Sequence, residues 1–266
     1  METGRPYLMP NKNNSIAFAG SSIHLFVNGF SFCTPSKTEF VPTPSGTDDF
    51  KTGLIDLLAF YPKETFDKTQ IISYHQPSTF VPNAFFDKKL LPNYLRFQGK
   101  IPKDFNLSFD VLEDVNQVNI HAYPKKELEI IHQQIPTANF YHFNTLLYRE
   151  VSERSKSEDK EFQLFIHLQK GSVDLYLKQH STIVFQNHFE IKNEDEFLYY
   201  TFFVVEQYEL SSDQFEMLFF GEIPFFETYY HAIKQYHPSV HFEASKTCSI
   251  LDLEQHPAPF FAQSFK

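Results

Sequence analysis

The sequence predicts a mixed α/β fold built from one unit used twice. Two stretches, Ile23-His24-Leu25-Phe26-Val27-Asn28-Gly29-Phe30 and Ile166-His167-Leu168-Gln169-Lys170-Gly171-Ser172-Val173, each read as strand, glycine-containing turn and returning strand. Each is followed by a third strand-like run, Glu39 to Val41 or Ile183 to Phe189. Each then enters an amphipathic segment that opens on acids, Asp48-Asp49 or Glu194-Asp195-Glu196, which suit the positive end of a helix dipole. Two lobes of one design in tandem imply a cleft between them.

Residues 1–20 are polar and rich in Asn and Pro, and read as a tail. Ile23 to Cys33 reads as a hairpin, with Asn28-Gly29 as the central pair of a type I′ turn. Pro35 to Gly46 reads as loop around a short strand. Thr47 is placed to cap the next helix, whose apolar face is Phe50, Leu54, Leu57 and Leu58. Gln70 to Tyr74 is a short strand, and Asn83 to Phe97 reads as a helix that Pro92 would kink. Asp104 to Asn119 gives two strands about a turn at Glu113 to Gln117. Pro124 opens a helix where its missing N–H does no harm, with Leu128, Ile131 and Ile135 on one face. Thr137 to Phe143 follows as a strand and Asn144 to Arg154 as a helix.

Ser152 to Lys160 holds no apolar residue and reads as the linker between lobes of residues 21–155 and 156–266. In the second unit Phe162 to Leu168, Val173 to Leu177 and Ile183 to Glu190 give three strands. Asn193 with Glu196 is a capping-box start, and Phe197, Tyr200, Thr201, Val204 and Tyr208 form the buried face of the helix. Phe215 to Phe220 is a strand, Gly221-Glu222-Ile223-Pro224 turns into a helix through Tyr236, and Pro238 to Glu243 is a last strand. Such units pack helices on a sheet.

The 32 Phe and 14 Tyr supply large side chains for two cores without any Trp. A formal charge of −10 argues against a DNA or RNA surface, which needs clustered Lys and Arg. No run approaches the roughly 18 apolar residues of a membrane span, and Met1 to Asn14 lacks an apolar signal core, so a cytoplasmic protein is expected. Cys33 and Cys248 form neither a disulfide framework nor a metal knuckle and read as buried thiols. His237 and His241 lie in a strand-like stretch with Pro238 between them, so they share no helix face for zinc. Neither a Gly-x-Ser-x-Gly elbow nor a Gly-x-x-x-x-Gly-Lys-Ser/Thr phosphate loop occurs.

Three tandem strands, a helix, a strand and a helix, occurring twice, resemble the actin-like ATPase superfamily of actin, the Hsp70 chaperones and the sugar and acetate kinases. Val118 to Arg149 followed by Phe162 to Phe197 looks closest to the bacterial pilus-assembly and cell-division scaffold members. The stretch from Ser22 to Ser245, above all Glu194-Asp195-Glu196-Phe197-Leu198-Tyr199-Tyr200 with Gly221-Glu222-Ile223, also resembles a bacterial family of uncharacterised proteins assigned this fold. The resemblance implies a duplicated two-lobe, ribonuclease H-like architecture with helices packed on mixed sheets.

In active members of that superfamily each hairpin carries Asp-x-Gly. The backbone near the glycine meets phosphate, and the aspartate positions Mg²⁺, a hard cation that needs oxygen ligands. The corresponding turns here read Val27-Asn28-Gly29 and Gln169-Lys170-Gly171, so the glycines are kept and both aspartates are missing. The adenine-side turn corresponds to Phe219 to Pro224, with one glycine where active members commonly have two; a plain strand-to-helix bend is the preferred reading of that glycine, and an adenine contact the alternative. The resemblance thus makes Gly29, Gly171, Gly221 and Glu222 the candidates for a degenerate nucleotide cleft, with no catalytic or metal-ligating residue assigned. Asp174, Asp49 and Glu222 are the displaced acids that would have to restore metal binding.

The functional expectation is a pseudo-ATPase: a non-catalytic binding or scaffold module without a cofactor. Its protein partner would be met through Phe225-Phe226, Tyr229-Tyr230 or Phe260-Phe261, since aromatic anchors often dominate binding. The alternatives are an ATP-binding ATPase or small-molecule kinase using Mg-ATP, and a nucleotide binder without turnover.

Overall fold

The structure, a computed structural model, describes residues 21–34, 37–155, 157–221 and 224–243. Cys248, Phe260, Phe261 and Glu222 lie outside the described residues. Lobe one runs β1 (Ser22–Phe26), β2 (Gly29–Cys33), β3 (Thr38–Pro42), α1 (Thr47–Phe60) and β4 (Gln70–Ser73). It continues with β5 (Ser78–Pro82), α2 (Leu91–Leu95), β6 (Phe105–Leu112), β7 (Gln117–Pro124), α3 (Lys125–Gln134) and β8 (Asn139–His142). Helix α4 (Phe143–Glu153) leads to lobe two. That lobe runs β9 (Phe162–Gln169), β10 (Ser172–Gln179), β11 (Thr182–Glu190), α5 (Glu194–Gln207), β12 (Phe215–Phe220), α6 (Glu227–Lys234) and β13 (Val240–Glu243).

The two five-stranded sheets have one order, β3-β2-β1-β4-β8 and β11-β10-β9-β12-β13. In each, three strands form an antiparallel meander and two more add in parallel. Parallel neighbours need crossovers, here made by α1 and α3 or by α5 and α6. Lobe one also carries an insertion between β4 and α3. It is an antiparallel sheet, β5-β7-β6, packed on α2 around Leu95, Val118 and Ile120.

The insertion departs from the sequence reading. In place of one helix over Asn83 to Phe97 there are two 3₁₀ turns, Asn83–Phe85 and Lys88–Leu90, before the short α2. The Asp87 carboxylate accepts the N–H of Lys89 at 2.8 Å, and the N–H of Asp87 donates to the Tyr94 hydroxyl at 2.9 Å. Such local bonds compete with a helix. Strand β5, absent from the sequence reading, exists through its pairing with β7.

Two turn assignments also change. Phe26 pairs with Gly29, so the first hairpin turns on Val27-Asn28, neither of which has a positive φ; it is not the type I′ turn on Asn28-Gly29. Gly46, not Thr47, is the N-cap of α1, and the Thr47 hydroxyl donates to Glu127 of α3 at 2.8 Å. Asn193 caps α5 as expected, accepting from the N–H of Glu196 at 3.0 Å.

Helix α4 extends to Glu153, taking in Ser152, which the sequence reading gave to both helix and linker. Its end is satisfied from lobe two. Lys178 of β10, only 1% exposed, donates from Nζ to the carbonyls of Val151 and Ser152, each at 3.1 Å, and to that of Arg154. A cation there serves both the orphan carbonyls and the negative end of the dipole. Arg154 pairs in turn with Glu150 and, at 2.7 Å, with Glu243 of β13. At the other end Phe143 stacks on Tyr74 of lobe one, with ring centroids 4.7 Å apart, and lies 6.3 Å from the ring of His167 in lobe two. One apolar core therefore runs from Phe26 and Ile72 through α4 into Leu164 and Ile166.

Replacing Lys178 with Met keeps the volume but removes this donor from the carbonyls of Ser152 and Arg154, while that of Val151 keeps the N–H of Arg154 at 3.3 Å. A loss of about 3 kcal/mol in unfolding free energy is expected from urea denaturation, and an unchanged midpoint would refute the capping role.

Candidate functional site

Both hairpin turns line a cleft of about 680 Å³ between the lobes. Phe26, Val27, Asn28 and Gly29 come from lobe one, and Gln169, Lys170, Gly171 and Ser172 from lobe two. Tyr74 and His75 follow β4, while His188 and Glu190 come from β11. Asp104 and Glu127 bring further acids to its wall.

The strand registers define which positions correspond. His24 lies opposite Ser31 in one hairpin, and His167 opposite Asp174 in the other. With these pairs aligned, Phe26 stands where Gln169 stands, and Val27-Asn28 where Lys170-Gly171 stand. On the third strands, Phe40 takes the place of His188. Matching Val27-Asn28-Gly29 to Gln169-Lys170-Gly171 is therefore out by one residue. Val27 sits 88% exposed at the turn tip, and Phe26 is the lobe-one counterpart of Gln169. Neither counterpart is a carboxylate.

The two glycines do different work. Gly171 has φ 80°, a turn conformation that favours glycine. Gly29 is a close approach, because a Cβ there would lie 2.4 Å from the Val41 carbonyl oxygen. Gly221 is tied up by its neighbours: its N–H donates to the Glu243 carbonyl at 3.1 Å and its carbonyl accepts from the Tyr230 hydroxyl at 2.9 Å. It lies outside the cleft lining given above.

Asp174 is fully buried and enclosed by donors. His167 Nδ1 at 3.0 Å and Gln169 Nε2 at 2.9 Å meet its Oδ2, and His188 Nδ1 at 2.8 Å meets its Oδ1. Burial by itself would raise the Asp174 pKa, but the charge of His188 and the histidine hydrogen bonds outweigh it and hold the carboxyl well below the ordinary range. His188 moves the other way. Burial pulls its pKa down, yet Asp174, helped by Glu190, raises it above the usual value. Both oxygens of Asp174 are engaged by these donors. Asp49 is spent locally, accepting the N–H of Ser45 at 2.8 Å. His188 escaped the sequence reading, because only the antiparallel pairing of β11 with β10 sets it across from Asp174.

Of the aromatic contact residues expected in lobe two, Phe226 and Tyr230 are core, Tyr229 is half-buried and Phe225 is 43% exposed. The Lys170 ammonium sits 4.8 Å from the Phe225 ring. A more exposed aromatic set lies elsewhere, with Tyr199, Phe203 and Tyr236 around a groove of about 300 Å³ beside α5. His237 stacks on Phe215 with centroids 4.2 Å apart, a packing role.

A second polar cluster lies beneath the insertion. His142 Nε2 donates to the His75 carbonyl at 2.8 Å, and its Nδ1 accepts the N–H of Asn144 at 3.2 Å. Its ring stacks on His121, which lies 3.5 Å from Asp110. Burial, then the neighbouring His121, lowers the His142 pKa to about 3; burial lowers that of His75 to about 4, against the pull of Asp104. Among the described residues no group of three or more His, Cys, Asp or Glu is arranged to hold a metal, and no helix is long and apolar enough to cross a membrane.

Twin sheets of one order with paired hairpins on a shared cleft define the actin-like ATPase fold, and solved structures of that fold match this chain. The chain belongs to the family described as "Protein of unknown function (DUF3822)", whose model matches residues 54–240. A protein of actin-like ATPase fold and unknown function from Bacteroides thetaiotaomicron is similar with a TM-score of 0.69 and 19% identity, over 84% of this chain and 90% of that one. The PilM-PilN type IV pilus biogenesis complex is similar with a TM-score of 0.50 and 11% identity, over 92% and 96%. No match was found among curated proteins.

The buried histidines make stability depend on pH from both sides. His75 and His142 stay neutral in the folded state, so acid below their unfolded pKa protonates only the unfolded chain. Each is expected to remove about 2 kcal/mol between pH 7 and pH 5. The contribution of His188 has the opposite sign, being full below its unfolded pKa and lost as pH rises through its raised folded value. Urea midpoints should therefore peak near neutrality, and midpoints that keep rising from pH 7 down to pH 5 would contradict the assignment.

Proposed function

We propose that this chain is a non-catalytic binding or scaffold module, acting in the cytoplasm on a protein partner and needing neither nucleotide nor Mg²⁺. The observation that carries this reading is that neither Val27 and Gln169, where the resemblance places the metal-directing acids, nor Phe26, the register counterpart of Gln169, offers a carboxylate. Asp174 is enclosed by His167, Gln169 and His188. A polyphosphate without its cation would meet Asp104, Glu127 and Glu190 in a chain of net charge −10, an unfavourable field. A protein partner is supported by the likeness to the PilM-PilN complex, itself an assembly of two proteins, although fold alone does not fix function. The exposed aromatic surface of α5 supplies the residue types that anchor such contacts.

A second reading, a nucleotide binder without turnover, draws on the cleft volume, which suits a small ligand. One pair of experiments separates the readings. Purified protein mixed with Mg-ATP is expected to release no phosphate above a buffer blank and to show no shift in unfolding temperature, because an unbound ligand stabilises nothing. A thermal shift without phosphate release would favour the second reading. Turnover that disappears in Asp174→Asn would overturn the proposal and mark Asp174 as the displaced acid.

A further inference from the structure

We propose that the lobe-two wall of the cleft is a metal-independent site for a small organic carboxylate, held by His188 Nε2 and Lys170 Nζ with its apolar body against Phe26 and Tyr74. The duplication provides an internal comparison. Where lobe two has Asp174, His188 and Gln169, lobe one has Ser31, Phe40 and Phe26 at matching register positions. The hairpin architecture therefore forms without the charged set. Buried ion pairs commonly add little stability over apolar packing of similar volume, so fold maintenance does not account for the charges of lobe two.

The geometry gives those charges a use. Asp174 occupies His188 Nδ1 at 2.8 Å and fixes the ring, while His188 itself lines the cleft. The remaining ring nitrogen, Nε2, is thereby left for a ligand, and on a protonated ring it donates a charge-assisted hydrogen bond. Lys170, exposed in the adjoining turn, adds an ammonium. Asp174 on β10, with His167 on β9 behind it, and Glu190 on β11, the strand of His188 itself, are the charged groups around His188. Asp104, Glu127 and His75 line the same cleft. Three carboxylates in one cleft disfavour a polyanion, while a single negative charge can be matched by His188 and Lys170. Phe26, Tyr74 and Phe105 give the rest of the ligand an apolar wall.

This inference does not depend on how the chain treats ATP, and its test contains no nucleotide. Benzoate is the probe, titrated into the full chain while the histidine ring signals are followed by NMR. At pH 6 the His188 signals are expected to shift saturably, with apparent affinity falling about tenfold or more by pH 9 as the imidazolium is lost. The double variant Asp174→Ser with His188→Phe copies lobe one; it should fold, judged by circular dichroism, and lose the benzoate response when binding is read by calorimetry. If that variant fails to fold, Lys170→Ala at the exposed turn should still weaken benzoate several-fold. Absence of saturable shifts at pH 6, or undiminished binding in either folded variant, overturns the site. Tighter binding of inorganic phosphate than of benzoate overturns the carboxylate assignment.

Discussion

Helix α4 is buried along most of its length. Seven of its eleven residues are buried, Phe143, Asn144, Thr145, Leu146, Leu147, Tyr148 and Val151, because sheets of both lobes close over it. A helix apolar on one stripe needs one partner; this one needs two at once. The placement of the lobes follows from that requirement. Lys178 reaches from β10 to finish the helix end, Arg154 binds it to β13, and Phe143 bridges Tyr74 and His167. The cleft lies beside this continuous core, with Tyr74 belonging to both, so its shape is coupled to packing.

The two lobes solve the same backbone problem with different chemistry. Lobe one fills its hairpin with Phe26, Ser31 and Phe40, and lobe two fills the equivalent places with Gln169, Asp174 and His188. Phenylalanine at the first position gives the lobe-one side of the cleft an apolar lining. In lobe two Asp174 stands on β10, three residues beyond Gly171, where His167 and His188 bond its two oxygens. The apolar filling of one hairpin and the charged network of the other thus occupy the same few register positions.

Much of this fold could be read from sequence because its signals are local and repeated. The strand, glycine-containing turn and returning strand in Ile23 to Cys33 and Phe162 to Leu177 give the hairpins, and acids at Asp48-Asp49 and Glu194 to Glu196 give the helix starts. The insertion resisted, since β5 is specified by its pairing with β7 and Asp87 diverts the chain into 3₁₀ turns. Pattern matching placed the hairpin glycines one residue out, because Gly29 answers to the approach of Val41 from β3 and Gly171 to its own turn. Asp174 was visible as an acid near the turn, but its enclosure was not. His188 is fourteen residues away and becomes its neighbour only once β10 and β11 are in register.

Electron paramagnetic resonance of Mn²⁺ with ATP, titrated with the full chain, asks whether either hairpin holds a divalent cation, because a protein-bound manganese–nucleotide complex differs in spectrum from the free one. A spectrum indifferent to added protein up to stoichiometric excess is expected of the proposed non-catalytic module. A protein-dependent spectrum that reverts when Asp174 is replaced by Asn would contradict that proposal.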